Sequence, residues 1–370
     1  MKIVAQRAAL QEALGLASGI ASARTPKPVL QCVKLVAKDE PAELTMLATD
    51  LEAGCRCILP QVEVNEPGEA LVPVQKFSDI VRESTDEEVL TITADGQKCE
   101  IIGSNAQFRL TTLDPAEFPR VADFEGDGDF QISSEVLSDL IEKTNFAVAR
   151  VHSHYAISGV LWEAEDKKLQ LVSTDGHRLA VAKGSLQKAV ASENSISAIV
   201  PVKMMNILQR AISGSDEVLA VQVSETQILI RTARAILLSS LVQGSFPKYN
   251  DVIPRDCPVK ITVEREQFLH GIRQAALLTS EESHSIQLKF SADNVVLTGR
   301  SPETGEAEVT VPLKLTGEPM EIAFNPTFLT EPLKVIGTDE VTMELTAPNK
   351  PALLKGTTDF LYVVMPVDIR

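Results

Sequence analysis

The sequence predicts an α+β protein built from three tandem copies of one domain, each an antiparallel sheet with two helices on one side. Each copy opens with a short strand pattern and an amphipathic helix pattern, at residues 2–17, 130–145 and 260–278. Each then repeats this arrangement, at residues 72–77, 200–205 and 322–328, before an alternating strand that starts near Glu88, Glu217 or Glu340. The period of about 125–130 residues is the size of a domain.

The repeat also predicts the domain boundaries. We predict domain 1 at residues 1–125, domain 2 at 126–256 and domain 3 at 257–370. Modest polar linkers lie at 125–129 and 254–258. Pseudo-symmetric domains joined head to tail build an arc or a ring.

Apolar residues spaced three and four apart predict the helices. The first-helix stripes are Leu10, Ala13, Leu14 and Ala17, then Leu137, Leu140, Ile141 and Thr144, then Leu269, Ile272 and Ala276. The second-helix stripes are Phe77, Ile80 and Val81, then Met204, Ile207, Leu208 and Ala211. In the third copy Pro332 lies inside the expected helix, where a proline costs about 3 kcal/mol, so we predict a late start or a kink.

The sequence patterns outside the predicted helices are typical of β-strands. Residues 44–49, 169–173 and 295–298 are predicted to be one equivalent strand in the three copies. Residues 89–93 and 341–345 alternate between apolar and polar, and Asp95-Gly96 is typical of a tight hairpin turn.

Composition excludes several classes of protein. No apolar run approaches about 18 residues and the N-terminus lacks signal-peptide features, so we expect no membrane partner and a cytoplasmic location. The five cysteines show no metal-ligand spacing and suit a reducing compartment, with Cys55 and Cys57 as apolar core residues. The formal charge of −16 argues against a nucleic-acid partner unless the charges are sorted by face.

The sharpest local motif is Thr174–Leu179, in which Asp175 and His177 invite a catalytic or metal-binding interpretation. A hydrolase would also need a nucleophile or a metal, and the five histidines lack the spacing that places two ligands on one helix face. Asp175-Gly176 is more economically a turn between strands. We therefore predict no catalytic residue, no metal site and no cofactor.

Basic residues recur on or beside the predicted helices. They are Arg7, Arg24, Lys76, Arg82, Lys143, Arg150, Lys203, Arg210, Arg273 and Lys334. Lys203 and Arg210 lie about two turns apart on a helix without acids. Solvated helix faces explain each one singly, but three repeats presenting such helices inward would hold phosphates without reading bases.

Further motifs occur along the whole chain. They are Ala48–Glu52, Thr111–Leu113 with Phe118-Pro119, Thr174–Ala180, Phe246-Pro247-x-Tyr249, Phe324-Asn325 and Tyr362–Pro366. In this order, and on a threefold repeat, they resemble the bacterial sliding clamp family, the beta subunit of DNA polymerase III. The resemblance implies three DNA-clamp domains per chain and a head-to-tail homodimer that closes a ring around duplex DNA, with helices lining the hole.

The resemblance also implies a hydrophobic pocket that receives short linear peptides. Carried over by position, its residues are Thr174, Gly176, His177, Arg178, Leu179, Pro247, Val252, Asn325, Phe328, Val363, Met365, Pro366 and Val367. The chain departs from the family pattern at Asp251, often arginine, at Phe328, often tyrosine, and in its longer tail, residues 367–370.

Two further sets of residues follow from the resemblance and the helix pattern. The expected DNA contacts are Arg24, Lys76, Arg150, Tyr155, Lys203 and Arg210, while His154 and Ala156 replace residues often seen as arginine and tyrosine. The expected dimer seam pairs Phe108 and Leu110 with Leu277 and Leu278.

The leading functional prediction is a processivity factor, a non-catalytic subunit of a DNA-directed DNA polymerase (nucleotidyltransferase) complex. Its expected partners are encircled double-stranded DNA, the replicative polymerase, the clamp loader, and repair polymerases and other linear-motif proteins. The alternatives are a duplicated clamp specialised for resistance or repair and a scaffold protein that forms no ring.

Overall fold

The computed structural model describes residues 1–21, 25–149, 155–190, 195–212, 214, 216–279 and 284–368. Within these residues lie six helices: α1 Arg7–Ile20, α2 Val74–Glu83, α3 Ser134–Thr144, α4 Val202–Ile212, α5 Arg265–Ala276 and α6 Pro326–Val335. None of these described helices is long and apolar enough to cross a lipid bilayer.

The rest of the regular structure is β. The first third of the chain has β1 Lys2–Gln6, β2 Cys32–Asp39, β3 Ala42–Thr49, β4 Ala53–Leu59, β5 Val62–Glu66, β6 Gly68–Pro73, β7 Val89–Ala94, β8 Lys98–Ile102 and β9 Gln107–Thr111. The middle third has β10 Phe130–Ser133, β11 Gly159–Glu165, β12 Lys168–Thr174, β13 Arg178–Ser185, β14 Ile196–Pro201, β15 Val218–Val223, β16 Gln227–Arg231 and β17 Ala235–Ser240. The last third has β18 Val259–Glu264, β19 Ile286–Phe290, β20 Asn294–Ser301, β21 Gly305–Pro312, β22 Lys314–Thr316, β23 Met320–Phe324, β24 Glu340–Leu345, β25 Ala352–Lys355 and β26 Phe360–Val364.

These strands form four sheets in two compact units. Unit 1 comprises Met1–Glu135, Leu186–Glu193 and Lys203–Leu241. It contains a five-stranded sheet, β5-β1-β7-β8-β9, and an eight-stranded sheet, β10-β15-β16-β17-β4-β3-β2-β6. Unit 2 comprises Val136–Ser185, Asn194–Val202 and Val242–Arg370. It contains a nine-stranded sheet, β14-β11-β12-β13-β26-β25-β24-β18-β22, and a four-stranded sheet, β21-β20-β19-β23.

Strand pairing between the repeats explains why these units differ from the predicted domains. In the eight-stranded sheet β17 of the middle repeat pairs with β4 of the first. In the nine-stranded sheet β13 of the middle repeat pairs with β26 of the last. The middle repeat therefore contributes strands to both units, and the boundaries at 125/126 and 256/257 stay predictions.

The threefold repeat is visible in the hydrogen bonding. The opening strand of each repeat pairs antiparallel with the strand after its second helix: β1 with β7, β10 with β15, and β18 with β24. A helix follows each opening strand, and its first residue is Arg7, Ser134 or Arg265. The backbone N–H of this residue donates to the carbonyl of the residue just before the partner strand, at 2.8–2.9 Å. One local design thus recurs three times.

The predicted helix stripes face the core with three exceptions, which are half-buried: Ile80 in α2, Ala211 in α4 and Ala276 in α5. Those of α1 and α3 are buried throughout, including the polar Thr144. At the end of α5, Ala275 is buried and the predicted Ala276 is half-buried. At the end of α4, Ile212 is buried and the predicted Ala211 is half-buried. The predicted stripe is therefore displaced by one residue at the C-terminal ends of α4 and α5.

Cys55 and Cys57 lie on β4 and are unbridged, and both are buried in the core as predicted. A hydrogen bond with Cys55, together with burial, raises the pKa of the Cys57 thiol. A thiol whose pKa is raised carries little thiolate, which is the reactive form, so Cys57 behaves as core rather than as a reactive residue.

Of the two expectations for the last helix, the late start is wrong, and the kink at Pro332 stays a prediction. Helix α6 begins at Pro326, directly after its cap, and runs through Pro332 to Val335. Pro332 has no N–H to donate to the carbonyl of Phe328, four residues earlier. The hydroxyl of buried Tyr362 donates to that carbonyl instead, at 2.7 Å. A side-chain hydrogen bond therefore satisfies the group that the proline leaves unpaired.

Candidate functional site

The Thr174–Arg178 turn is a tight connection between β12 and β13. Gly176 has a φ of 89°, which favours glycine. The Asp175 carboxylate accepts the backbone N–H groups of His177 and Arg178, at 3.0 and 3.1 Å, and the Nε–H of Arg178, at 2.9 Å. Asp175 thus stabilises the turn, and these three contacts do not include the His177 imidazole, so the hydrolase interpretation gains no support.

Arg178 is buried beneath this turn, with 6% of its surface exposed. Its guanidinium is paired with Asp175 and Glu331 and donates to the carbonyl of Phe146 at 2.7 Å. Burial alone lowers the pKa of Arg178, but the hydrogen bond to Glu331 and the neighbouring charges raise it overall. Arg178 therefore supports the turn from beneath, and its place in the lining of the pocket stays a prediction.

The C-terminal segment is attached to this turn. Strand β26 pairs with β13, placing Val363 opposite Leu179, and both side chains are buried. The N–H of Met365 then donates to the carbonyl of His177 at 2.8 Å, and that of Val367 donates to Ala323 at 2.9 Å. Met365, which has 40% of its surface exposed, is therefore fixed beside the turn although it lies 188 residues away in sequence.

Helix α6 supplies the aromatic part of the site. Asn325 caps the helix by accepting the N–H of Thr327 at 2.9 Å. The ring of Phe328 lies 6.3 Å from that of His177 and nearly parallel to it, and the guanidinium carbon of Arg178 lies 4.5 Å from the Phe328 ring centre. Phe328 is thereby held against the turn by both a stacked ring and a cation.

Residues 242–253 cross the face of the nine-stranded sheet. Phe246, Tyr249 and Ile253 pack on a buried apolar cluster that includes Leu179 and Val363. The predicted pocket residues Pro247 and Val252 are next to these anchors and are exposed, Val252 at 52%. The sheet face thus places this segment beside the turn.

The predicted pocket residues divide by exposure. Gly176, His177, Pro247, Val252 and Met365 are exposed; Thr174, Asn325, Phe328, Pro366 and Val367 are half-buried; Arg178, Leu179 and Val363 are buried. Direct contacts join the turn, α6 and the C-terminal segment, whereas Pro247 and Val252 are linked to them through Phe246 and Ile253. The result is an apolar surface edged with a few polar groups, which is suited to binding rather than to acid–base chemistry.

Four supporting residues were missed by sequence reasoning. Glu331 and Phe146 hold Arg178, Tyr362 holds the carbonyl of Phe328, and Tyr249 bonds Glu163. Tyr249 and Tyr362 had a signal, since they belong to the Phe246-Pro247-x-Tyr249 and Tyr362–Pro366 motifs. Glu331 and Phe146 lie in unremarkable helix and turn positions.

The helix cations are less available than the sequence suggested. The Lys203 Nζ binds the Asp50 carboxylate at 2.5 Å and the carbonyl of Ile20, at the end of α1, at 2.8 Å. Arg210 donates to the carbonyl of Asn206, and its guanidinium covers Gly19 so closely that a β-carbon there would lie 2.7 Å from it. The helix of Lys203 carries no acid, but Asp50 from the β3–β4 turn pairs with it.

Other expected DNA contacts have mixed outcomes. Lys76 is exposed on α2 and pairs with no described residue. Arg24 and Arg150 lie outside the described residues, as does the side chain of Tyr155, whose backbone begins a short 3-10 helix. The DNA contacts therefore stay predictions.

None of the four expected seam residues is buried. Phe108 and Leu110 lie half-buried on β9, and Leu278 is half-buried after α5. Leu277 has 79% of its surface exposed, an unusual value for a leucine in a folded domain. None of the four is therefore an internal core residue, and the seam stays a prediction.

Comparison with known proteins accounts for the whole chain. Models of the N-terminal, central and C-terminal domains of the DNA polymerase III beta subunit match residues 1–122, 131–248 and 250–368. The chain belongs to the DNA polymerase III beta subunit family. As in that family, it consists of three tandem clamp domains.

Relatives and solved structures agree with this membership. The beta sliding clamps of Pseudomonas aeruginosa and Escherichia coli are 32% and 30% identical to the chain, over 99% of it and 100% of each relative. The crystal structure of the Pseudomonas aeruginosa beta subunit has a TM-score of 0.90 at 32% identity, and the Bacillus subtilis sliding clamp 0.93 at 26%, each covering both chains completely. The beta-subunit fold therefore extends over the full length.

Proposed function

We propose that this chain is the processivity factor of a bacterial replicase, a non-catalytic clamp that slides on duplex DNA and tethers the polymerase. The observation that carries the proposal is the full-length match to three consecutive beta-subunit domains. Tethering turns each rebinding of the polymerase into an intramolecular event at high effective concentration. Work on chromosomal DNA would place the protein in the cytoplasm. No observation favours the specialised clamp or the ringless scaffold.

The proposed assembly is a ring of two chains joined head to tail. Support comes from two sheet edges, because β9 pairs only with β8, and β21 only with β20, among the described strands. Unpaired edge strands offer rows of hydrogen-bonding groups to another chain. Exposed Leu277, at the end of the helix that packs on β21, would add an apolar contact to such a seam.

The proposed DNA contacts are weak and electrostatic. Lys76, Arg273 and Lys334 are exposed helix cations that pair with no described residue, in a chain of net charge −16. A few local cations can hold phosphates while the remaining negative surface repels DNA. Retention on DNA would then depend on the closed ring rather than on affinity.

The proposed partner site is the surface formed by the turn, α6, the C-terminal segment and residues 247–252. Its exposed apolar residues and its flexible Met365 suit several linear peptides. The proposed ligands are segments of the replicative polymerase, the clamp loader and repair polymerases. Asp251 is exposed beside this surface and should favour peptides with a nearby cation, mainly through the association rate.

A topological assay tests the ring. Loaded onto nicked circular DNA by the clamp loader, the protein should remain bound through a high-salt wash and leave once the circle is cut. The same protein mixed with linear DNA should be lost as salt rises. Equal, salt-sensitive loss from circular and linear DNA would exclude encirclement.

Calorimetry with a polymerase-derived linear peptide tests the partner site. Deleting residues 365–370 should abolish binding while the oligomeric state is unchanged, because Met365 and Val367 fix this segment to the turn and to β23. Met365→Ala should cost about 1–2 kcal/mol of binding free energy. Asp251→Arg should shift preference from basic toward acidic peptides. Full affinity in the deletion variant would remove the site assignment, whereas unchanged charge preference would remove only the role of Asp251.

A further inference from the structure

Residues 242–253, here termed the strap, are tied down along their length. At its start the N–H of Val242 donates to the carbonyl of Ile199 on edge strand β14, at 2.9 Å. In its middle Phe246 and Tyr249 form an edge-to-face ring pair, 6.4 Å between centres, on the apolar sheet face. The strap carries the exposed Pro247 and Val252, which form one wall of the proposed peptide site.

The polar anchor of the strap is Tyr249. Its hydroxyl donates to the Glu163 carboxylate at 2.6 Å. The Nε2 of Gln170 donates to the same carboxylate oxygen at 3.0 Å and to the Tyr249 oxygen at 2.6 Å. Glu163 and Gln170 are directly opposite each other on β11 and β12, so a rigid part of the sheet presents both.

The backbone around Tyr249 transmits this anchor to the wall. The N–H of Tyr249 donates to the carbonyl of Pro247 at 2.7 Å, and that of Asp251 donates to Lys248 at 3.2 Å. Tyr249 also begins the 3-10 turn that ends at Val252. Pro247 and Val252 thus sit on either end of one short hydrogen-bonded segment whose centre is fixed by the Tyr249 hydroxyl.

We propose that Tyr249, bonded to Glu163 and Gln170, is a positioning residue that holds the strap in the conformation able to bind a linear peptide. This inference rests on the proposed function and adds to it a residue that acts through Pro247 and Val252. Without the hydroxyl, the strap also populates other conformations. Only molecules whose strap is in the anchored conformation, here called seated, bind the peptide. The apparent affinity is therefore reduced in proportion to the seated fraction.

The kinetics separate positioning from direct contact. If only the seated strap binds, the association rate falls with the seated fraction while the dissociation rate of the complex is unchanged. Loss of a direct peptide contact would instead accelerate dissociation. We expect Tyr249→Phe, which keeps the ring and removes the hydrogen bonds of the hydroxyl with Glu163 and Gln170, to slow association about three- to ten-fold.

The experiment measures binding of a fluorescein-labelled peptide from the clamp-contacting segment of the source bacterium's polymerase, by stopped flow, with the full-length protein. Tyr249→Phe, Glu163→Ala and the double variant should show the same slower association, because the pair acts as one unit. Glu163→Gln, which keeps an acceptor oxygen, should restore most of the rate. Ser224→Ala, which removes an exposed hydroxyl in unit 1, is the matched control.

The outcomes distinguish this inference from the proposed function. Unchanged association in Tyr249→Phe, or faster dissociation with unchanged association, would overturn the positioning role. If the variant lacking residues 365–370 bound the peptide like the wild type, the proposed site itself would fail. Should Tyr249→Phe not fold, Glu163→Ala and its rescue by Glu163→Gln decide the question.

Discussion

The hydroxyl of Tyr362 donates a hydrogen bond to the carbonyl of Phe328, 2.7 Å away. In an uninterrupted helix that carbonyl would accept the N–H of residue 332, which is a proline here. Strand β26 thus completes the hydrogen bonding of helix α6 at the residue whose ring forms part of the proposed peptide site. The stability of the helix and the shape of the site depend on the same bond.

Tyr362→Phe should lower the free energy of unfolding by about 1–3 kcal/mol, since it leaves a carbonyl without its hydrogen-bond partner. Urea denaturation measures the loss. In a Pro332→Ala background the same substitution should cost less than about 1 kcal/mol, because position 332 then supplies an N–H. Equal losses in both backgrounds would mean that the Tyr362 hydroxyl does not replace the N–H that Pro332 lacks, and no loss in either would mean that Tyr362 stabilises the fold through its ring alone.

Much of the fold could be predicted because it depends on local sequence. The α1 stripe through Leu10 and Leu14, and the hairpin at Asp95-Gly96, follow from spacing and turn chemistry within a few residues. The pairing of Leu237 with Cys55 could not be predicted, since it depends on the shapes of two sheet edges that lie far apart in sequence. The start of α6 was mispredicted because the penalty of Pro332 is offset by Tyr362.

The parts of the site that belong to sequence motifs could be predicted. The residues that hold those parts in place from distant positions in the sequence could not. The turn at Asp175-Gly176 follows from turn chemistry, and its proximity to Met365 followed from the family resemblance. The pairing of Arg178 with Glu331 spans 153 residues and has no sequence pattern. Burial of Arg178 therefore became evident only in the folded chain, where the charge must be neutralised.

Glu331→Ala should lower the free energy of unfolding by about 3 kcal/mol, because it removes one partner of the buried Arg178. This value is at the low end for breaking a buried ion pair, since Asp175 still pairs with Arg178. Chemical denaturation gives the value. Arg300→Ala is the matched control, because Arg300 and Glu306 form an exposed pair whose loss should cost about 0–1 kcal/mol. Similar small losses in both variants would show that Arg178 is solvated in solution.

Lys203→Met should lower the free energy of unfolding by about 1 kcal/mol, because it removes the bonds to Asp50 and Ile20. It should leave unchanged the salt dependence of binding to a short linear duplex. Lys76→Ala should do the reverse, reducing the slope of log affinity against log salt by about 0.9 at unchanged stability. Fluorescence anisotropy over a salt series and urea titration measure the two quantities. A reduced slope for Lys203→Met would mean that Lys203 leaves Asp50 to bind phosphate.

Leu277→Ala combined with Leu278→Ala should give a folded monomer. Each truncation removes about 2 kcal/mol or more of apolar contact if the leucine is buried in the seam, and a ring contains two seams. Sedimentation at nanomolar concentration measures the oligomeric state, and circular dichroism checks the fold. Val218→Ala, at a residue 50% exposed elsewhere, should remain dimeric. A dimeric double variant would place the seam away from the end of α5.

Alkaline pH should weaken the fold through Tyr249. Burial and the hydrogen bond to Glu163 raise the pKa of Tyr249 to about 12. The unfolded chain loses the phenolic proton near pH 10, so this stabilising contribution is complete below that pH and disappears as pH rises to about 12. The wild type should therefore lose more stability than Tyr249→Phe between about pH 9 and about pH 11, measured by urea midpoints.

Glu163→Gln should lose less than the wild type, because removing the carboxylate charge lowers the pKa of Tyr249 toward its ordinary value. Tyr362 also has a raised pKa, but it is present in all three proteins, so their differences isolate Tyr249. Identical alkaline losses in the wild type and Tyr249→Phe would mean that the hydroxyl is not bonded to Glu163 in solution.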